Sequence, residues 1–255
     1  MRVTWIGGWG VAPESLRPMA EQCFAKAEHT FLAPVPPALG TNAESPKDLG
    51  RTKIPAPNLC PPQIFGRSSS SAPDLTIAWS LGAWRVIEAA SQGVQFPGMV
   101  LLFAPFVAFP SESQLGGKCS ATQVKFLRRW LQREPLAALA DFHQRAGISQ
   151  PLTRPSGTLS PSDGERDGVR GAPANSALPY AMPDLLEGLD RLAEDAPPAL
   201  QEFASRGLPR NWQALIGDDD PLLDGAAVCR SLPGCVLVRG AGHAIADLLA
   251  ASQAK

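Results

Sequence analysis

The chain has 255 residues, 44% of them hydrophobic and 18% charged, so it carries enough apolar side chain for one sizeable core and too much for a disordered polymer. Lys and Arg number 23 against 24 Asp and Glu, and the formal net charge of -1 excludes a whole-molecule field that would gather nucleic acid or an anionic membrane. The five cysteines, Cys23, Cys60, Cys119, Cys229 and Cys235, are irregularly spaced with no Cys-x-x-Cys, which argues against a disulfide framework or a zinc site.

The opening MRVTWIGGWG has one basic residue and then glycines, without the sustained apolar run of a secretory signal. Arg2 to Ile6 reads as a strand that enters the turn Gly7-Gly8-Trp9-Gly10. Ser15 to Ala27 has helical spacing, with Leu16, Met19, Ala20, Cys23 and Phe24 on one side, and Thr30 to Val35 reads as a second strand. Pro36 to Pro73, rich in proline and glycine, reads as a long surface connection. Asp74 to Trp79 is a short apolar strand ending at Ser80, and a helix runs from there to about Ser91. Gly98 to Ala104 is a continuous apolar run, as expected of a parallel strand buried on both faces. The stretch from Met99 to Phe109 is broken by Pro105 and too short to span a bilayer, so a soluble cytoplasmic protein without a membrane partner is expected.

A helical region is expected from about Ala121 to Ala146, a loose polar segment from Gln150 to Pro179, and another helix from Asp184 to Glu194. Trp212 to Ile216 and Cys235 to Val238 read as strands, Leu222 to Ser231 and Ala244 to Ser252 as helices. Strands alternating with helices imply a mostly parallel sheet. The expected organisation is a core formed by residues 1–110 and 193–255, with a helical cap over 111–192 whose part from 150 to 179 is flexible.

Three positions carry chemistry. In Ala78-Trp79-Ser80-Leu81-Gly82 a buried strand leads in and a helix leads out, with small residues two before and two after the serine. A sharp strand-to-helix turn needs those small neighbours and lifts the hydroxyl above the sheet, near the positive helix end. Gly217-Asp218-Asp219-Asp220-Pro221 follows a strand, and Asp220 has the Gly-x-x-Asp offset that sets a carboxylate at the top of the sheet. Asp218 and Asp219 read as solvated or turn-forming. Of the three histidines, His29, His143 and His243, only His243 stands between the final strand and the final helix. The order Ser80, Asp220, His243 is that of the α/β-hydrolase fold, with His243 as base and Asp220 orienting it. Backbone N–H groups of Leu81, after the serine, and of Trp9, after the first strand, are the expected oxyanion donors. The glycine turn lacks the lysine of a phosphate loop and does not match a dinucleotide fingerprint.

These residues resemble the family of esterases that cleave pimeloyl-acyl-carrier-protein methyl ester in biotin synthesis. Gly8-Trp9-Gly10 is similar to the family's His-Gly-Trp-Gly turn, with Gly7 in place of His, and Trp79-Ser80-Leu81-Gly82 to its Gly-Trp-Ser-Leu-Gly elbow, with Ala78 in place of Gly. Gly188-Leu189 with Leu192 and Asp195 is similar to its Gly-Leu-x-x-Leu stretch, and His243-Ala244 to its His-Ala pair. The resemblance implies an α/β-hydrolase fold, an acyl ester hydrolysed through an acyl-Ser80 intermediate, no metal or organic cofactor, and an acyl-carrier protein as a partner. Another serine acyl hydrolase, a thioesterase or small-ester esterase, remains open, as does a non-catalytic binding protein of the same fold. Epoxide hydrolase chemistry is disfavoured, because Ser80 stands where Asp is needed and Tyr180 is the sole tyrosine.

Lys125, Arg128, Arg129 and Arg133 recur at helical spacing, opposite Val124, Phe126, Leu127, Trp130 and Leu131. A solvated face over an apolar interior explains that pattern. Docking of an acidic carrier through Arg128 and Arg129 is the sharper reading. Phe106, at the end of the strand after the serine helix, is a candidate for the acyl pocket, and a core position is the alternative.

Overall fold

The computed structural model describes residues 1–34, 72–148 and 178–253. The long connection expected from 36 to 73 and the loose segment from 150 to 179 therefore lie, apart from their last two residues, outside the described residues.

Six strands form one sheet in which every neighbouring pair is parallel: β1 (Arg2–Ile6), β2 (Glu28–Leu32), β3 (Leu75–Trp79), β4 (Met99–Phe103), β5 (Trp212–Gly217) and β6 (Cys235–Val238). Their order across the sheet is β2-β1-β3-β4-β5-β6. The chain leaves β1 toward one edge and returns to pair β3 on its other side, with Ile6 opposite Ala78. The carboxyl ends of β1 and β3 thus flank a topological switch point, where open parallel sheets bind ligands. Every residue of β3 is buried, as the unbroken apolar run requires, whereas β6 is an edge strand with Val236 and Leu237 exposed. Trp5, Trp79, Phe103 and Phe106 are the bulkiest fully buried side chains.

A 3-10 turn (Pro13–Leu16) leads into α1 (Arg17–Cys23), so the helix expected over 15–27 is shorter and begins as a tighter coil. Its ring of apolar residues is otherwise on the core side. Helix α2 (Leu81–Ser91) follows β3 directly; inside it the buried Arg85 pairs with Glu88 at 2.7 Å and donates through Nε to the Pro34 carbonyl. Two helices, α3 (Ala121–Arg133) and α4 (Pro135–Arg145), make up the helical region expected over 121–146. Pro135 has no N–H to continue the ladder and pushes Glu134 out of helical backbone, to φ -140° and ψ 69°. A capping box starts α3: Ser120 Oγ accepts from the Gln123 N–H while Gln123 Oε1 accepts from the Ser120 N–H, a device that contributes about 1 kcal/mol.

Helix α5 (Met182–Leu192) packs on α3. Then come α6 (Pro198–Ser205), which the sequence reading did not mark, α7 (Gly225–Ser231), capped by Asp224 through the Ala227 N–H, and α8 (Ile245–Gln253). Helices α2, α6 and α7 pack in a row and α8 lies on β4 and β5.

Candidate active site

Ser80 sits at the step from β3 to α2 with φ 56° and ψ -121°, a backbone state that a side chain other than glycine adopts at a cost of about 1–3 kcal/mol. Backbone bonds fix it there. The Ser80 N–H donates to the Phe103 carbonyl at 2.9 Å, and its own carbonyl accepts from the Trp84 N–H at 3.0 Å. The small neighbours have a steric cause. A Cβ on Gly82 would stand 2.5 Å from the Gly7 carbonyl oxygen and 2.7 Å from that of Ile6. The elbow therefore presses on the end of β1, and only glycine fits the contact.

His243 lies in the turn after β6, and its Nε2 is 3.0 Å from Ser80 Oγ. Its Nδ1 is 2.7 Å from Asp220 Oδ2. An ionised carboxylate only accepts, so Nδ1–H donates to Asp220 and Nε2 is left to accept the Ser80 hydroxyl proton. The other oxygen of Asp220, Oδ1, accepts from the backbone N–H groups of Leu222 (2.8 Å) and Leu223 (3.0 Å). Lys118 Nζ donates to the Asp220 carbonyl at 2.5 Å. Asp220 and His243 are fully buried and Ser80 is 8% exposed, so the line is shielded from competing water. Asp218 and Asp219 are exposed; Asp218 Oδ1 accepts from the Gly240 N–H and so closes the turn that leads to His243.

Leu81 opens α2, so its N–H lies outside the intrahelical ladder. The turn that carries Trp9 lies beside the serine: a Cβ on Gly8 would come within 3.3 Å of Ser80 Cβ. The Trp9 ring is buried. Its Nε1 donates to the Leu185 carbonyl of α5 at 2.9 Å, and the ring meets Phe142 of α4 edge-on at 4.7 Å between centroids. Gly188 faces that ring; a Cβ there would stand 2.4 Å from Trp9 Cδ1. His143 Nε2 donates to the Gly10 carbonyl at 3.0 Å, and the Tyr180 hydroxyl donates to the Val11 carbonyl. Burial holds His143 below its ordinary pKa of 6.5, opposed by the Gly10 hydrogen bond, and burial aided by Glu14 pushes Tyr180 up.

A cavity of about 330 Å³ opens between α3, α4 and α5, lined chiefly by apolar side chains such as Phe109, Val124, Leu127, Trp130, Phe142 and Leu189. Ser80 is not in its wall. The wall does include Phe142, which packs on Trp9, and Leu222, whose N–H holds Asp220. Phe106 does not line this cavity. It is 1% exposed and packs behind Phe109, with 5.4 Å between ring centroids, and Phe109 takes the wall position.

On α3 the apolar residues do not share one arc. Phe126 is 65% exposed, although it lines the cavity together with the buried Val124. Arg128 falls near the buried side and makes a two-pronged pair with Asp190 of α5, at 2.6 and 3.1 Å, which raises its pKa. Arg129 is exposed and has no ion-pair partner among the described residues.

Sequence reasoning missed several residues at the site. Trp79 Nε1 donates to the His243 carbonyl at 2.9 Å and its ring lies against the imidazole, so the elbow's tryptophan also holds the histidine turn. The grip of Leu222 and Leu223 on Asp220 was readable as an Asx turn after Asp-Pro. Nothing local pointed to Lys118, His143 or Tyr180. Among the described residues no cluster of His, Cys, Asp or Glu is placed to hold a metal ion, and no helix is long and apolar enough to cross a membrane.

No protein-family model matches the chain, and no curated protein matches it. Solved structures do. The chain is similar to an esterase, RhEst1, from Rhodococcus sp. ECU1013 (TM-score 0.56, 13% identity, covering 96% of this chain and 84% of that one). It is also similar to an α/β hydrolase fold protein from Burkholderia ambifaria (0.53, 15%, 99% and 87%) and to a thermophilic esterase from Thermogutta terrifontis (0.53, 12%, 99% and 86%). Identities this low speak for the fold alone, and the fold is that of the α/β-hydrolases.

Proposed function

We propose that the protein is a serine carboxylesterase that hydrolyses an acyl ester through an acyl-Ser80 intermediate. The observation that carries this reading is the unbroken line from Asp220 through His243 to Ser80, at 2.7 and 3.0 Å, on a strained elbow at the sheet's switch point. In the proposed reaction Ser80 Oγ attacks the acyl carbon while its proton passes to His243 Nε2. The oxyanion that forms takes hydrogen bonds from the N–H groups of Trp9 and Leu81. The bond to the alcohol then breaks as His243 returns the proton to the departing oxygen. Water, deprotonated by His243, attacks the acyl carbon, and the bond to Ser80 Oγ breaks as His243 returns that proton to Oγ, releasing the acid. Apart from water, every group this proposal uses is a side chain or backbone atom of the chain.

The apolar cavity, whose wall includes Leu222 next to Asp220 and Phe142 against Trp9, supports an acyl chain as the group bound, and α3, α4 and α5 then act as a cap over a core of residues 1–110 and 193–255. The finer reading is that the ester is pimeloyl-acyl-carrier-protein methyl ester of biotin synthesis, delivered to the basic face of α3. Because Arg128 is engaged with Asp190, the exposed Arg129 and Arg133 are the cleaner probes of docking. Turnover is to be measured on free and carrier-linked esters and thioesters, with Arg129→Glu/Arg133→Glu beside the unsubstituted protein. The reading expects ester cleavage, a raised KM for the carrier-linked ester alone in the double variant, and a weaker salt dependence. Equal kinetics on the carrier-linked ester would remove the docking surface while leaving the esterase; no turnover of any ester would remove both.

A further inference from the structure

We infer that His143 and Tyr180 are positioning residues for the oxyanion donor on Trp9, so that the helices above the sheet build half of the oxyanion site. The inference rests on the proposed esterase function and extends it to groups that never touch substrate. An oxyanion donor works only when its N–H stands about 2.7–3.1 Å from where the charge develops, so its backbone has to be held to a fraction of an ångström. Nothing in the turn's own sequence supplies that. Gly7, Gly8 and Gly10 are permissive residues, and Gly10 has φ 73°.

Backbone bonds to neighbouring elements do not supply it either. The Gly7 N–H donates to the Leu32 carbonyl before the turn, and the Ser15 N–H donates to the Ala12 carbonyl after it. Between them the chain makes a turn at Trp9 and Gly10, and among the described residues no backbone–backbone hydrogen bond joins residues 8 to 11 to another element. What does hold the turn arrives from three separate places. His143 of α4 donates to the Gly10 carbonyl, one residue beyond Trp9. Tyr180, just ahead of α5, donates to the Val11 carbonyl. The Trp9 side chain itself is pinned by the Leu185 carbonyl, the edge of Phe142 and the absence of a side chain at Gly188. Two of the pins grip main-chain carbonyls, so they fix the peptide planes two and three units beyond the one that carries the Trp9 N–H rather than only filling space. The second donor, Leu81, is set by the elbow and needs none of this.

The consequence is a split in kinetics. Loosening the turn leaves the serine, histidine and acyl cavity in place, so ground-state binding persists while stabilisation of the developing oxyanion falls. The test uses the full chain with Tyr180→Phe, which deletes one oxygen, and His143→Phe, with His143→Gln as the variant that restores a donor. Steady-state kinetics on a short soluble ester are read beside the inhibition constant of a trifluoromethyl ketone, whose serine adduct carries the oxyanion. The expected result is a fall in kcat of about tenfold per lost positioning bond, below the loss of about 10²–10³-fold for removing an oxyanion donor outright. KM should change little, inhibitor affinity should fall in the same proportion as kcat/KM, and His143→Gln should recover part of the rate. Ester turnover in the unsubstituted protein, together with unchanged kcat and inhibitor affinity in Tyr180→Phe and His143→Phe, would overturn the positioning role alone. Absence of turnover in the unsubstituted protein would overturn the esterase reading and this inference with it.

Discussion

Two turns meet over the carboxyl ends of β1 and β3, and they are held in different ways. The elbow at Ser80 is fixed by its own backbone: its N–H and carbonyl are both bonded within the core, and Gly82 is wedged against the carbonyls of Ile6 and Gly7. The turn at Trp9 is fixed by side chains that reach it from 133 and 169 residues away, and by its own tryptophan ring, which donates to a carbonyl 176 residues away. The first cannot yield without moving the sheet. The second is tied to α4 and to the entry of α5, so on the proposed esterase reading the helices above the sheet grip the turn of Trp9 while Ser80 is held by the sheet.

The largest expected break removes the carboxylate that orients His243. Asp220→Asn should lower kcat by about 10⁴-fold, since the histidine loses the acceptor that fixes its tautomer and balances its charge. Asp218→Asn should leave kcat nearly unchanged, because the amide oxygen can still accept from the Gly240 N–H. Next in size is Gly82→Ala, whose methyl would meet backbone at 2.5 Å. The elbow must shift, and a misplacement approaching 1 Å costs about 10²-fold in kcat. Gly188→Ala is its counterpart on the other turn, meeting the Trp9 ring rather than backbone. The ring can give, and kcat should fall by about tenfold, with KM for a short ester unchanged. A larger loss from Gly188→Ala than from Gly82→Ala would reverse the comparison.

The smallest effect is one of stability. Burial lowers the pKa of His143 from 6.5 in the folded state, so the unfolded chain takes up its proton first as the pH falls. Neutral His143 contributes fully above about pH 6.5, and that contribution is lost as the pH drops from there through the folded pKa. The melting temperature of the unsubstituted protein should therefore fall more steeply between pH 6.5 and pH 5 than that of His143→Gln. Parallel curves would mean that His143 is not held neutral by its burial.

The same contrast explains what could be read from the chain. The elbow was legible because everything it needs, a buried strand, two small residues and a helix, lies within a dozen residues. The side chains of Asp220 and His243 were placed by the strand ends before them, and those strands were plain from their apolar runs. The grip of His143 and Tyr180 was not legible, because a residue on one helix and another ahead of the next have no sequence relation to a glycine turn at the chain's start. Helix α6 escaped notice: it is eight residues long and opens on two prolines, which read as a loop. The break between α3 and α4 was available in the sequence at Pro135.

The central claim is that Ser80 is a nucleophile activated by His243. A fluorophosphonate probe, with the labelled residue mapped by peptide mass spectrometry, tests it most directly, in the unsubstituted protein and in Ser80→Ala. The account predicts labelling at Ser80, close to one probe per chain, and none in the variant while its circular dichroism and melting are retained. Labelling that persists in Ser80→Ala, or an unsubstituted, folded protein that takes up no probe, would contradict it.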